Sequence, residues 1–170
     1  TGYMHLAVSR FARMSAPLIA AVNGVAAGAG MSIVCGADLV LASDRARFTM
    51  AYTGAGLAPD GGATWSLPRL VGLRRAQELM ITNRMLSAQE AADWGLVTRV
   101  VAADALAEEA GALAAQLAAG PRGAYGHVKR LLQHSASGSL ETQMELESRA
   151  ISEAAVSPEG QEGIRAFLEK

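Results

Sequence analysis

The chain has 170 residues, about half of them hydrophobic, and a formal net charge of -1. That length suits one domain with a real core, and the composition excludes a disordered chain. The balanced charge argues against a nucleic-acid or anionic-membrane surface. The lack of any run of 18 or more apolar residues argues against a membrane span.

The single cysteine, Cys35, has no internal disulfide partner. It sits among Ile33, Val34 and Ala37 and reads as a small core residue. No signal peptide is visible, so a reducing cytoplasmic location is expected. The chain opens oddly, since Thr1-Gly2 leads straight into an apparent helix, Tyr3 to Arg13. There is no initiator methionine and no earlier strand for a buried-looking Leu18–Val22 to pair with. An N-terminal part is expected to be missing.

In chain order, apolar runs predict strands near 18–22, 38–42 and 47–50, with a helix over about 29–36 between the first two. From about residue 62 helices dominate. Gly62 to Leu70 reads as a short helix disturbed at Pro68, and Leu73 to Thr82 as a second. Ser87-Ala88-Gln89-Glu90 has the spacing of a capping box and starts a helix that stops near Gly95. Leu96 to Val101 reads as a short strand. Asp104 is placed as the cap of an alanine-rich helix closed by Gly120-Pro121. Helices follow at about 122–134 and 139–155. Ser157-Pro158 starts the last one. The domain reading is a core over 1–100 and a helical region over 101–170.

The chemistry concentrates between Pro17 and Pro68. A strand runs through Asn23-Gly24 into Gly28-Ala29-Gly30, which opens a helix. That is a backbone N–H site for negative charge. A dinucleotide loop is excluded, because Ile33 stands where the third glycine of G-x-G-x-x-G belongs. Asp60 stands alone among acids in Pro59-Asp60-Gly61-Gly62. Read by itself it is either a helix cap or an acid–base group. His5, His127 and His134 have no metal-ligand spacing with acids or with Cys35, so no metal is expected. A serine-hydrolase set around Ser32 lacks placeable partners. Met50 and Trp65 read as packing groups, Trp94 as core, and Glu108, Glu109 and Arg74-Arg75 as solvated faces.

Several segments in order resemble the enoyl-CoA hydratase/isomerase (crotonase) superfamily. PLIAAVNGVAAGAG is similar to its oxyanion-loop motif, and ADLVLASDRARF to the strand pair that follows. The run from GLAPDGG through WGLVTRVV, and the closing EGIRAFLEK, match later family segments. The resemblance implies an α/β fold, the crotonase (ClpP/crotonase-like) ββα spiral, with a helical C-terminal trimerisation region. It implies an acyl-CoA thioester as substrate, with CoA arriving as part of it and no other cofactor. A homotrimer or hexamer is implied, with no nucleic-acid or membrane partner.

The family pattern places an oxyanion N–H at Ala29, beside Gly28. The two glutamates of the hydratases correspond here to Ser32 and Tyr52, so the two-carboxylate route to water addition is in doubt. Both residues are then expected to line the substrate site. Asp60 takes the position of the acid in ring-epoxyphenylacetyl-CoA isomerases, and of the nucleophilic aspartate in aryl-CoA dehalogenases. Tyr52 stands where the dehalogenases carry tryptophan. Phe167 and Lys170 match residues that reach CoA from a neighbouring subunit. The reaction favoured is double-bond isomerisation of an enoyl-CoA or ring-type acyl-CoA, with Asp60 as the base. A hydratase or lyase using other groups, and a non-catalytic acyl-CoA binding subunit, are the alternatives.

Overall fold

The computed structural model describes residues 2–169. They form two compact units. One comprises the residues up to Ala12 with Leu18–Ala114, and the other Arg13–Pro17 with the chain from Ala115 onward.

The first unit begins with α1 (Gly2–Arg13), followed by β1 (Ile19–Val22), β2 (Val25–Ala27) and α2 (Ala29–Cys35). Next come β3 (Leu39–Ser43), β4 (Arg47–Thr49), a single 3-10 turn at Thr53–Ala55, and α3 (Ala63–Val71). Then follow α4 (Leu73–Thr82), β5 (Leu86–Ser87), α5 (Ala88–Asp93), β6 (Arg99–Val101) and α6 (Leu106–Ala118).

The strands belong to two small sheets. One has the order β1-β3-β6 and is parallel throughout. The other has the order β2-β4-β5, with β5 antiparallel to β4. Two successive strands therefore enter different sheets before a helix follows. The β1-β2-α2 turn is repeated one layer on by β3-β4 and α3. Register follows the repeat, with Ile19 opposite Leu39 and Val25 opposite Arg47. The Arg47 N–H donates to the Gly24 carbonyl, so the Asn23-Gly24 bend and the bend before β4 stack.

Most predicted elements are present within a residue or two, and two short strands, β2 and β5, were not expected. In β2, Val25 is followed by two alanines, too short a run to signal a strand. It exists through its ladder with Arg47–Thr49. The helix read over Gly62 to Leu70 is α3, which runs through Pro68 to Val71, with the Gly72 N–H reaching the Pro68 carbonyl. The core of this unit is Met31, Leu41, Phe48, Met50, Leu67, Leu79 and Leu86, all fully buried, with Cys35 also buried. Burial pushes the Cys35 thiol up to about 12. Trp65 is not a packing group but about half exposed, with the Arg69 guanidinium 4.1 Å above its ring. Trp94 is only partly buried, and Arg75 and Arg84 stack on it.

The second unit contains α7 (Arg122–Ser135), α8 (Leu140–Val156) and α9 (Pro158–Leu168). Ser139 and Ser157 cap α8 and α9, accepting from Thr142 N and Gly160 N. Lys129 is buried and donates to the Ala16 carbonyl at 3.1 Å. Leu132, Met144, Ile151, Ile164 and Phe167 leave apolar surface exposed on these helices. Among the described residues no helix is long and apolar enough to cross a membrane.

Candidate functional site

The site is built in the first unit, where the loop into α2 meets the loop into α3. Gly28 is the N-cap of α2 at φ 52 and ψ -122, a conformation open to glycine. The helix starts at Ala29, which is exposed. An N–H in the first turn has no acceptor within its own helix, so the Ala29 N–H points outward from the helix start. The carbonyl at the other side of that peptide bond, Gly28 O, is approached twice by one residue. Ser32 donates its backbone N–H at 3.0 Å, and its hydroxyl lies 3.3 Å away, in reach to donate as well. Ser32 is 1% exposed.

Ser32 Oγ also lies 2.9 Å from the Tyr52 hydroxyl. Tyr52 donates in turn to Asp60 Oδ1 at 2.7 Å. Tyr52 is presented by an unusual backbone, because Ala51 just before it has φ 57. A non-glycine residue there is strained, and such strain gathers where a side chain must be aimed. Partial burial, followed by the neighbouring Asp60 carboxylate, raises the Tyr52 phenol above its ordinary value against the opposing pull of the Ser32 bond. Tyr52 therefore keeps its proton and acts as a donor to the carboxylate.

Asp60 does not cap the helix that follows it. Gly61 and Gly62 both take left-handed conformations, at φ 62 and φ 80. Gly62 becomes the N-cap of α3 without any side-chain cap bond. Only the backbone carbonyl of Asp60 serves the helix, accepting from Ala63 N at 3.3 Å. The carboxylate is left for Tyr52 on one side and His5 on the other. His5 Nε2 lies 3.8 Å from Asp60 Oδ2 and accepts from the Gly61 N–H at 3.3 Å.

Five expected residues, Gly28, Ala29, Ser32, Tyr52 and Asp60, thus come together. Phe167 lies on α9 in the second unit and is 78% exposed. Lys170 lies outside the described residues. Sequence reasoning missed His5. A lone histidine in an amphipathic helix, far from Asp60 in sequence, gives no local signal. The available hint was that Met4 and Val8 share its helix and face Gly61 and Gly62. Among the described residues no group of three or more metal-ligating side chains is found.

The comparison with known proteins then decides the family. A profile of enoyl-CoA hydratase/isomerase matches residues 4–170. The chain belongs to the enoyl-CoA hydratase/isomerase family. It is 42% identical over 163 residues to 1,2-epoxyphenylacetyl-CoA isomerase of Escherichia coli strain K12, covering 96% of this chain and 62% of that protein. It is 38% identical to 4-chlorobenzoyl coenzyme A dehalogenase-1 of an Arthrobacter species, over 99% of this chain and 61% of the relative. The crystal structure of an enoyl-CoA hydratase/isomerase from Cupriavidus metallidurans CH34 superposes with a TM-score of 0.94 at 39% identity, covering 99% of this chain and 63% of that one. The fold is the α/β crotonase fold. The chain spans less than two thirds of the length of these relatives.

Proposed function

We propose that this family member acts on an acyl-CoA thioester by stabilising its enolate, and that it moves a double bond in an enoyl-CoA or ring-type acyl-CoA. The thioester oxygen would accept from the Ala29 N–H, where the start of α2 adds a favourable dipole. Asp60 would remove the proton alpha to the thioester and return it two carbons away. Ser32 and Tyr52 occupy the glutamate positions of the hydratase pattern, and neither is a good base near neutral pH. The observation that carries the reading is that the Asp60 carboxylate is turned away from capping and held by Tyr52 instead.

The test uses the full-length protein and its Asp60→Asn variant, each given 3-hexenoyl-CoA in heavy water. Wild type is expected to conjugate the double bond and take up deuterium at C4, the carbon that receives the proton. Asp60→Asn is expected to lose about 10²–10⁴ in rate. Activity persisting in Asp60→Asn sinks the reading.

His5 supports a second reading. An imidazole 3.8 Å from a carboxylate oxygen is an arrangement that can take a proton from water as that water adds to a 2-enoyl-CoA. In that case His5→Ala abolishes incorporation of labelled water while leaving alpha-proton exchange in place. The assembly proposed is a homotrimer or hexamer formed through α7–α9, with Phe167 and Lys170 reaching the CoA of a neighbouring subunit. Light scattering on the full-length protein checks it.

A further inference from the structure

We propose that Ser32 and Tyr52 are positioning residues that transmit the charge state of Asp60 to the peptide carrying the oxyanion donor, an inference that rests on the isomerase reading above. Three hydrogen bonds make the connection. They run from Asp60 Oδ1 to the Tyr52 hydroxyl at 2.7 Å, on to Ser32 Oγ at 2.9 Å, and on to Gly28 O at 3.3 Å. Gly28 O and the Ala29 N–H belong to one trans peptide unit, so a donor placed on that oxygen polarises that N–H.

Each hydroxyl owns one proton, and this sets the direction of the chain. While Asp60 is ionised, Tyr52 spends its proton on Oδ1. Tyr52 can then only accept from Ser32, whose single proton is drawn toward Tyr52. Gly28 O is left with the Ser32 backbone N–H as its main donor. When the carboxyl group takes the substrate proton, it becomes a poorer acceptor, and on Oδ1 a donor. Tyr52 then turns its O–H to Ser32, and Ser32 turns its own to Gly28 O. No covalent proton transfer along the chain is needed, because two C–O rotations suffice. The extra donor on Gly28 O arrives when the substrate is an enolate. The Ala29 N–H therefore becomes a better donor just as negative charge develops on the thioester oxygen. Ser32, at 1% exposed, is shielded from solvent, which strengthens the bonds that it makes.

The test measures kcat and KM for alpha-proton exchange with 3-hexenoyl-CoA. It compares full-length wild type, Ser32→Ala, Tyr52→Phe, the double variant and Asp60→Asn. Each single variant deletes one oxygen, and circular dichroism checks that the fold is kept. Ser32→Ala is expected to lose about fivefold to tenfold in kcat, the rate equivalent of one hydrogen bond, with KM within about twofold. Tyr52→Phe is expected to lose a similar factor in kcat with KM little changed, because it cuts the same chain. The double variant is expected to be no slower than the slower single one, because a chain cut twice is cut once. Losses that multiply in the double variant, a Ser32→Ala effect confined to KM, or a Ser32→Ala protein with wild-type kcat and KM would each overturn the coupling while Asp60→Asn remains inactive. An active Asp60→Asn, or a wild type without exchange, overturns the isomerase reading itself and the coupling with it.

Discussion

His5 and Asp60 meet across the Gly61 peptide: Nε2 of His5 stands 3.8 Å from Asp60 Oδ2 while accepting the Gly61 N–H at 3.3 Å. The two relationships compete. Accepting from Gly61 requires a lone pair on Nε2, whereas an ion pair with Asp60 requires a proton there. His5→Ala, which removes the acceptor, is therefore expected to speed hydrogen exchange of the Gly61 amide, whereas His5→Gln, whose side-chain oxygen can still accept, keeps part of the protection. Unchanged Gly61 exchange in His5→Ala would show that the N–H does not depend on the imidazole.

Gly61 is expected to resist substitution for two separable reasons. Its φ of 62 disfavours any side chain, and a Cβ there would overlap Met4 Cε and lie 3.0 Å from Ser32 Cβ. Gly61→Ala should cost about 2 kcal/mol or more in denaturant unfolding. Met4→Ala introduced beside it should recover the part due to overlap but not the part due to φ. Full recovery would mean the backbone strain is negligible.

Cys35 is expected to be inert. Its thiol is pushed by burial from an ordinary 9.0 up to about 12, so little thiolate exists at ordinary pH. Alkylation at pH 8 should proceed only after denaturation. The sign of the linkage follows. The fold favours the protonated thiol, so this contribution to stability is whole below pH 9.0 and declines as pH rises toward 12. Cys35→Ala should flatten that alkaline decline. Rapid alkylation of the native protein would contradict the burial.

The start of α9 rests on one hydroxyl. Ser157 Oγ accepts from Gly160 N at 3.0 Å and donates to the Ala154 carbonyl at 2.7 Å. Ser157→Ala should destabilise the helix start by about 1 kcal/mol. That corresponds to amide exchange in α9 faster by about fivefold. Gly160→Ala should be worse, because its Cβ would run into the Ala154 carbonyl oxygen. Unchanged protection in Ser157→Ala would show that the cap is not what holds this end.

The helices and most strands were legible because their signals are local. Ser157-Pro158 and Ser87 with Glu90 announce helix starts, and the Ser87 hydroxyl does accept from Glu90 N. The second half of that capping box is not made, since Glu90 turns its carboxylate to Arg84. The strand Val25–Ala27 was illegible because its partner lies more than twenty residues on and one valine before two alanines is too short a run to signal a strand. Asp60 was ambiguous, as Asp-Gly-Gly suits a cap and a loop equally. The ambiguity ended with two consecutive left-handed glycines that gave the cap position to Gly62. Motif spacing drew attention to Ser32 and Tyr52 separately. That their hydroxyls touch depends on the packing of two loops, which no window of sequence contains.

Ala51 carries a consequence for anyone who mutates the loop around Tyr52. Its φ of 57 sets the direction from which Tyr52 reaches Asp60. A library that randomises this loop has to keep a residue tolerant of the left-handed region at 51, in practice Gly, Asn, Asp or Ala. Valine, isoleucine or threonine would flip the peptide and swing the phenol out of reach. Such clones would fail through the backbone at 51, whatever side chains had been chosen elsewhere in the loop.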